Sequence, residues 1–232
     1  MVSPYSNKHD IIHTRLIFVR HGQIDSNTLG RFSIWNDEPL NADGIDQIEK
    51  ASKRIFSQFE PDVILCSPIY RAKMSAEIIA GDRLQPIEVA DLAEVHFGEV
   101  SGLTMSEIAV QFPDNYQAFT EYVEAEDQSQ LTRPVFPGGE TTDDIIARVR
   151  RFTELVLRSY PGKLVVAVSH GAFIKCVLQV YAGADFTRSV PFWIDNGSIS
   201  VVDFFKNKPM IRLVNDAHHI SDLIPVSPPG VL

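Results

Sequence analysis

Two apolar runs, each too short for a helix, break off into the same pair of residues. Leu16-Ile17-Phe18-Val19 stops at Arg20-His21-Gly22, and Leu164-Val165-Val166-Ala167-Val168 stops at Ser169-His170-Gly171. Each reads as a buried strand ended by a glycine turn. Between and around them, extended and helical patterns alternate. Beyond Gly44, residues Ile45, Ile48, Ser52, Ile55, Phe56 and Phe59 recur on one helical face. Asn41 is placed to cap that helix, and Leu40 with Ile45 has the spacing of a hydrophobic staple. Val63-Ile64-Leu65-Cys66 is a second strand, Pro68 opens a helix to Ala80 that Gly81 closes, and Ile87 to Leu92 is a third strand.

The stretch 104–127 reads as helical, packing Phe112, Tyr116, Phe119 and Tyr122 and turning Glu121, Glu124, Glu126 and Asp127 to water. After a Pro/Gly break at 134–139, Thr141 or Thr142 caps a helix of Ile145, Ile146, Val149, Phe152 and Val156. Phe173, Ile174, Val177, Leu178 and Tyr181 form another, and Ile199–Phe204 alternates as a strand paired with Met210–Val214. Strands alternating with helices predict an α/β fold, a three-layer sandwich with a mostly parallel central sheet flanked by helices. With 232 residues and no linker-like stretch, 1–232 is expected to be one domain, with 1–12 a loose tail and 221–232, which carries three prolines, an irregular one.

Bulk properties exclude several classes. A net charge of −9 argues against a nucleic-acid partner, which needs a basic face. No apolar run approaches the roughly 20 residues of a membrane helix. Met1–Asp10 lacks the apolar core of a signal peptide, so the expected compartment is the cytoplasm. Cys66 and Cys176 are too few for a disulfide framework and read as buried free thiols. No His-x-His or His-Glu-x-x-His pattern suggests a metal site; His9 with His13 and the adjacent His218-His219 are poor ligand pairs.

In open α/β sheets, ligands bind beyond the carboxyl ends of the strands. His21 and His170 both fall there, the first preceded by Arg20. Ser67-Pro68-Ile69-Tyr70-Arg71 places Arg71 near the start of a helix beyond the same edge, where its guanidinium can grip an anion bidentately. Glu94 follows the third strand in the same position. Singly, each is an ordinary turn or surface residue; together they outline a site.

These segments resemble the histidine phosphatase superfamily, also called phosphoglycerate mutase-like, over roughly residues 15–220. Arg20-His21-Gly22 with Asn27, Leu40-Asn41-Ala42-Asp43-Gly44 with Gln47, and Ser67 to Ala72 carry the resemblance. So do Leu92 to Gly98 with Gly102, Pro137-Gly138-Gly139-Glu140, Ser169-His170-Gly171 and Asn215-Asp216 to His219. Gln23 and Thr141 depart from it, standing where glutamate and serine are common. The resemblance implies a phosphomonoester hydrolase acting on a small phosphorylated substrate, with no cofactor and no metal. His21 would be the nucleophile and Glu94 the general acid and base. Arg20, Arg71 and a protonated His170 would hold the phosphoryl oxygens, with Asn27 a further contact. A lid is expected at 104–135. A mutase returning the phosphoryl group to a bound acid and a non-catalytic phosphate-binding module are the alternatives; the Val95-His96-Phe97-Gly98 segment favours the phosphatase branch over the mutases.

Overall fold

The computed structural model describes residues 13–125, 133–184, 186 and 193–223. The expectations for 1–12, His9, Glu126, Asp127 and 224–232 lie outside them.

Six strands form one sheet in the order β3-β2-β4-β1-β5-β6. They are β1 His13–Arg20, β2 Val63–Cys66, β3 Ile87–Glu88, β4 Leu164–Ser169, β5 Ile199–Phe205 and β6 Lys208–Asp216. The pairs β3–β2, β2–β4 and β4–β1 are parallel, and β5 joins β1 and β6 antiparallel. The period of two sends alternate residues of each strand to opposite faces. Leu16, Phe18, Val165 and Ala167 meet Val149, Phe152, Phe173 and Val177 of α6 (Thr142–Ser159) and α7 (Gly171–Tyr181). Ile17, Val19, Val166 and Val168 meet Ile48, Ile55, Ala72 and Ala76 of α2 (Ala42–Gln58) and α3 (Tyr70–Ala80). This is the expected three-layer arrangement. Among the described residues, no helix is long and apolar enough to cross a membrane.

Local chemistry sets several boundaries. Asn41 caps α2, accepting from Gly44 N–H, and Thr141 caps α6 in a capping box with Asp144. Two expectations need correction and one is refined. The third strand is only Ile87–Glu88; Ala90–Leu92 coil into a 3₁₀ turn that carries Leu92 into the core. The helical stretch 104–127 is two helices, α4 Met105–Gln111 and α5 Pro113–Glu124. Pro113 has no N–H to give and drives Phe112 out of the helical region, to φ −135°. Phe112, Tyr116 and Phe119 still pack, against Phe32, Ile108 and Phe136. Finally, Ile45 is 37% exposed, because the buried stripe of α2 runs through Gly44, Gln47, Ile48, Ala51 and Ile55.

Candidate active site

The parallel register aligns Arg20 with Ser169, and His21 N–H donates to Ser169 O at 2.9 Å. His21 and His170, the next residue on each strand, therefore stand side by side with ring centroids 5.0 Å apart. Both are buried, at 3% and 0% exposure, as are Arg71 at 0% and Glu94 at 4%. The glycine after His21 is a spatial necessity. A Cβ on Gly22 would lie 2.2 Å from Gly44 O, where the first turn of α2 presses on the strand end.

The hydrogen bonds assign His21 its tautomer. Nδ1 lies 2.7 Å from Gly22 O, an acceptor only, so Nδ1 carries the proton and Nε2 keeps its lone pair. Arg71 Nε donates to that Nε2 at 3.3 Å, while its Nη1 donates to Ile34 O and its Nη2 to Ser33 Oγ. Burial, and then the Arg71 and Arg20 charges, push His21 well below the usual imidazole range. His170 is pushed down the same way by burial, Arg71, His21 and Arg20, so the unliganded site holds it neutral. The expectation of a protonated His170 belongs to the phosphate-bound site: an imidazolium needs solvent or a counter-anion, and burial beside two arginines removes the first in the unliganded one. Arg71 is itself lowered to about 10, chiefly by burial, and stays charged at neutral pH.

These shifts have a consequence for stability. As pH falls through about 6.5, imidazoles of the unfolded chain take up protons while native His21 and His170 do not. The unfolded state then binds more protons, so stability should fall below pH 6.5 by up to about 1.4 kcal/mol per pH unit for each histidine. Urea unfolding at pH 7.5 and 5.5 measures the loss. His170→Gln should show a smaller one, and equal losses in both proteins would mean that the buried imidazole is not held neutral.

Arg20 donates from Nη1 to Ile194 O at 2.6 Å, and its Nε makes no hydrogen bond among the described residues. His170 Nε2 lies 2.8 Å from Ser67 Oγ, and its Nδ1 is likewise buried without a partner. Glu94 sits on the first turn of α7. Its Oε1 accepts from Val95 and Phe173 N–H at 2.8 and 2.9 Å, and its Oε2, among the described residues, only from Ala172 N–H at 3.3 Å. The turn bearing Glu94 is tied down by Arg148, which forms a bidentate pair with Glu140 (2.8 and 2.6 Å) and donates to the Asp91 and Ala93 carbonyls. Glu140 also accepts from His96 N–H.

Asn27 is present but indirect. Its Oδ1 accepts from Asn196 Nδ2, which also donates to His21 O. Gln23 accepts from Asn41 Nδ2 at 3.1 Å and so supports the cap of α2. Asn215, at φ 52°, brackets Asp195, and His219 Nε2 contacts Gly197 O. Gly197 N–H in turn donates to Arg20 O, so the Asn215–His219 segment buttresses the end of β1 from behind. Sequence reasoning missed Ser33, Asn196 and Arg148. Only Arg148 left a signal, as a charge on the buried stripe of Ile145, Val149 and Phe152. Among the described residues, no group of three or more His, Cys, Asp and Glu is placed to hold a metal. Cys66 and Cys176 are free and buried, and burial raises their thiols to about 11 and about 12.

Comparison with known proteins matches residues 16–217 to the model of the histidine phosphatase superfamily, branch 1. The uncharacterized phosphatase PhoE of Bacillus subtilis is 31% identical over 216 residues, covering 91% of this chain and 99% of its own. Phosphoserine phosphatase 1 of Hydrogenobacter thermophilus is 27% identical, over 90% and 95% of the two chains. In structure, the phosphoserine phosphatase of Entamoeba histolytica in complex with 3-phosphoglyceric acid superposes with a TM-score of 0.75 at 27% identity. It covers 89% of this chain and 99% of its own.

Proposed function

Since this chain belongs to the histidine phosphatase superfamily, we propose that it hydrolyses small phosphomonoesters through a phosphohistidine on His21. The observation that carries the reading is a pair of buried polar atoms with no hydrogen bond among the described residues, Arg20 Nε and His170 Nδ1, in the site where the His21 Nε2 lone pair meets only the 3.3 Å contact from Arg71 Nε. Buried polar groups are normally paired, and a phosphoryl group is a ligand that would pair both.

His21 Nε2 attacks phosphorus and the ester oxygen leaves, taking a proton from Glu94. Oε2, with its single long contact, is the oxygen we assign to proton exchange. Water then attacks the phosphohistidine, Glu94 takes its proton, and phosphate departs with His21 restored. Arg20, Arg71 and His170 bind the non-bridging oxygens. For His170 we place the proton on Nδ1, with the Ser67 hydroxyl donating to Nε2. Its neutrality suits this role, since a neutral imidazole is still a donor. The arginines make a strong local field inside a desolvated pocket, although the chain's net charge is negative.

We assign α4 and α5 as a cover over this site. Phe32 packs edge-on against Phe119, and Arg31 pairs with Glu107 at 2.9 Å. The neighbouring Ser33 and Ile34 hold Arg71, which links the cover to the phosphate grip. Free buried thiols suit a reducing compartment, and the cytoplasm is the location we propose.

In this reading the positive charge that neutralises the phosphoryl group comes from side chains. Purified protein should therefore keep its full activity against a panel of phosphomonoesters after exhaustive chelation. Activity that disappears with chelator and returns with one divalent ion would overturn the mechanism; hydrolysis of none of the panel would overturn the function.

A further inference from the structure

The end of β1 is held by the turn that leads into β5. Arg20 N–H donates to Ser198 O at 3.2 Å, and Gly197 N–H donates to Arg20 O at 3.0 Å. Asn196 Nδ2 donates to His21 O at 3.0 Å. The same turn reaches the Arg20 side chain, whose Nη1 donates to Ile194 O at 2.6 Å. Gly171 packs against that guanidinium, where a Cβ would lie 3.2 Å from Nε and 3.3 Å from Cζ. A guanidinium is planar and rigid, so fixing one nitrogen and packing the group closely sets where its other N–H bonds point. Nε, buried and unpaired among the described residues, is one of them.

The Ile194 carbonyl can aim Arg20 only if the turn itself is held. Asp195 N–H donates to Asn215 Oδ1 at 2.7 Å, and Asn215 Nδ2 donates to Asp195 Oδ2 at 2.8 Å. The residue next to Ile194 is thus clamped by both its backbone and its side chain. Asn215 reaches it through an irregularity of the sheet. The register of β5 and β6 steps from Ile199–Asp216 to Val201–Leu213, so β6 carries an extra residue in that interval. Asn215 lies there at φ 52°, and its N–H donates to Ser200 Oγ at 3.0 Å. A bulge re-aims a side chain, and a left-handed residue other than glycine persists where its surroundings over-determine it. Here the re-aimed side chain is the one that grips Asp195.

We propose that Asn215 is a positioning residue for phosphoryl transfer: by clamping Asp195 it fixes the Ile194 carbonyl, which aims the Arg20 guanidinium at the phosphoryl oxygens. The proposal rests on the phosphatase reading for what Arg20 binds.

A double-mutant cycle tests it, read by calorimetric titration with inorganic phosphate and by kcat/KM for p-nitrophenyl phosphate. Asn215→Gly removes the clamp and keeps the backbone, since glycine adopts a positive φ freely. It should weaken phosphate binding and lower kcat/KM about tenfold each, against about 10–100-fold for Arg20→Ala, the range for a hydrogen bond to a charged group. In the Arg20→Ala background, Asn215→Gly should cost less than about twofold, because no guanidinium remains to be aimed. Equal losses in both backgrounds would make Asn215 a general prop of the fold and overturn the proposal, as would unchanged phosphate binding in Asn215→Gly. Exchanging the clamped pair keeps the test decisive should Asn215→Gly not fold. Asn215→Asp alone sets two carboxylates against each other and should weaken phosphate binding as Asn215→Gly does. Adding Asp195→Asn faces a donor to an acceptor again and should restore the affinity to within about threefold of the parent. Failure of the exchange to restore it would also overturn the proposal. Phosphate bound as tightly by Arg20→Ala as by the parent would instead overturn the phosphate grip in the phosphatase reading.

Discussion

Replacing His21 with alanine should lower turnover of every phosphomonoester by at least about 10⁴-fold, because loss of a covalent nucleophile removes the reaction path itself. Rapid quench with ³²P-labelled substrate should find an acid-labile phosphoryl group on the parent protein and none on the variant. His21 is buried, so the fold must be checked as well. Its neighbours are polar, however, and its ring belongs to neither large apolar cluster of the sheet. A cooperative thermal transition within several degrees of the parent is expected. His21→Asn, which keeps a polar group facing Arg71, should be equally inactive. Residual activity within about tenfold of the parent would assign the attack elsewhere, and His170, 5.0 Å away, would be the next residue to replace.

Glu94→Gln should separate substrates by their leaving groups. A general acid matters most when the departing oxygen is basic, so hydrolysis of an alkyl phosphate should fall by roughly 10²–10⁴. With p-nitrophenyl phosphate, whose phenolate leaves without a proton, formation of phosphohistidine should fall far less. The amide must be seated without disturbing α7. Its oxygen can replace Oε1 as acceptor from Val95 and Phe173, which leaves the NH₂ at the Oε2 position, with its single contact at 3.3 Å. Dephosphorylation slows for both substrates if the same carboxylate activates water, so the first step is read from the pre-steady-state burst. Equal loss of burst rate for the two substrates would reduce Glu94 to a structural anchor of the α7 terminus. His96, exposed and two residues on, would then be tested as the proton donor.

The parts of this protein legible in its sequence are those that short stretches of chain decide. A short apolar run followed within three residues by glycine favours a buried strand and a turn, so β1, β4 and the edge bearing His21 and His170 could be read from the chain itself. Asn41 and Thr141 cap their helices through atoms three residues away. Where distant segments compete, local pattern failed. Apolar spacing suggested a strand to Leu92, but the Arg148–Glu140 clamp and the first turn of α7 hold that stretch as a turn, and so set where Glu94 points. Only the pairing of Arg20 with Ser169, 149 residues apart in the chain (169 − 20), brings the two histidines together. Their charge likewise belongs to the assembled fold. A histidine's pKa follows from how much water is removed and which charges are packed against it. Burial beside Arg71 and Arg20, contributed by different segments, holds His170 neutral in the unliganded site, which none of its sequence neighbours indicates. Sequence thus determined which residue types stand at the strand ends, since that depends on contacts a few residues apart. Tertiary structure decided their protonation and partners, since desolvation and long-range charge exist only once the layers have closed.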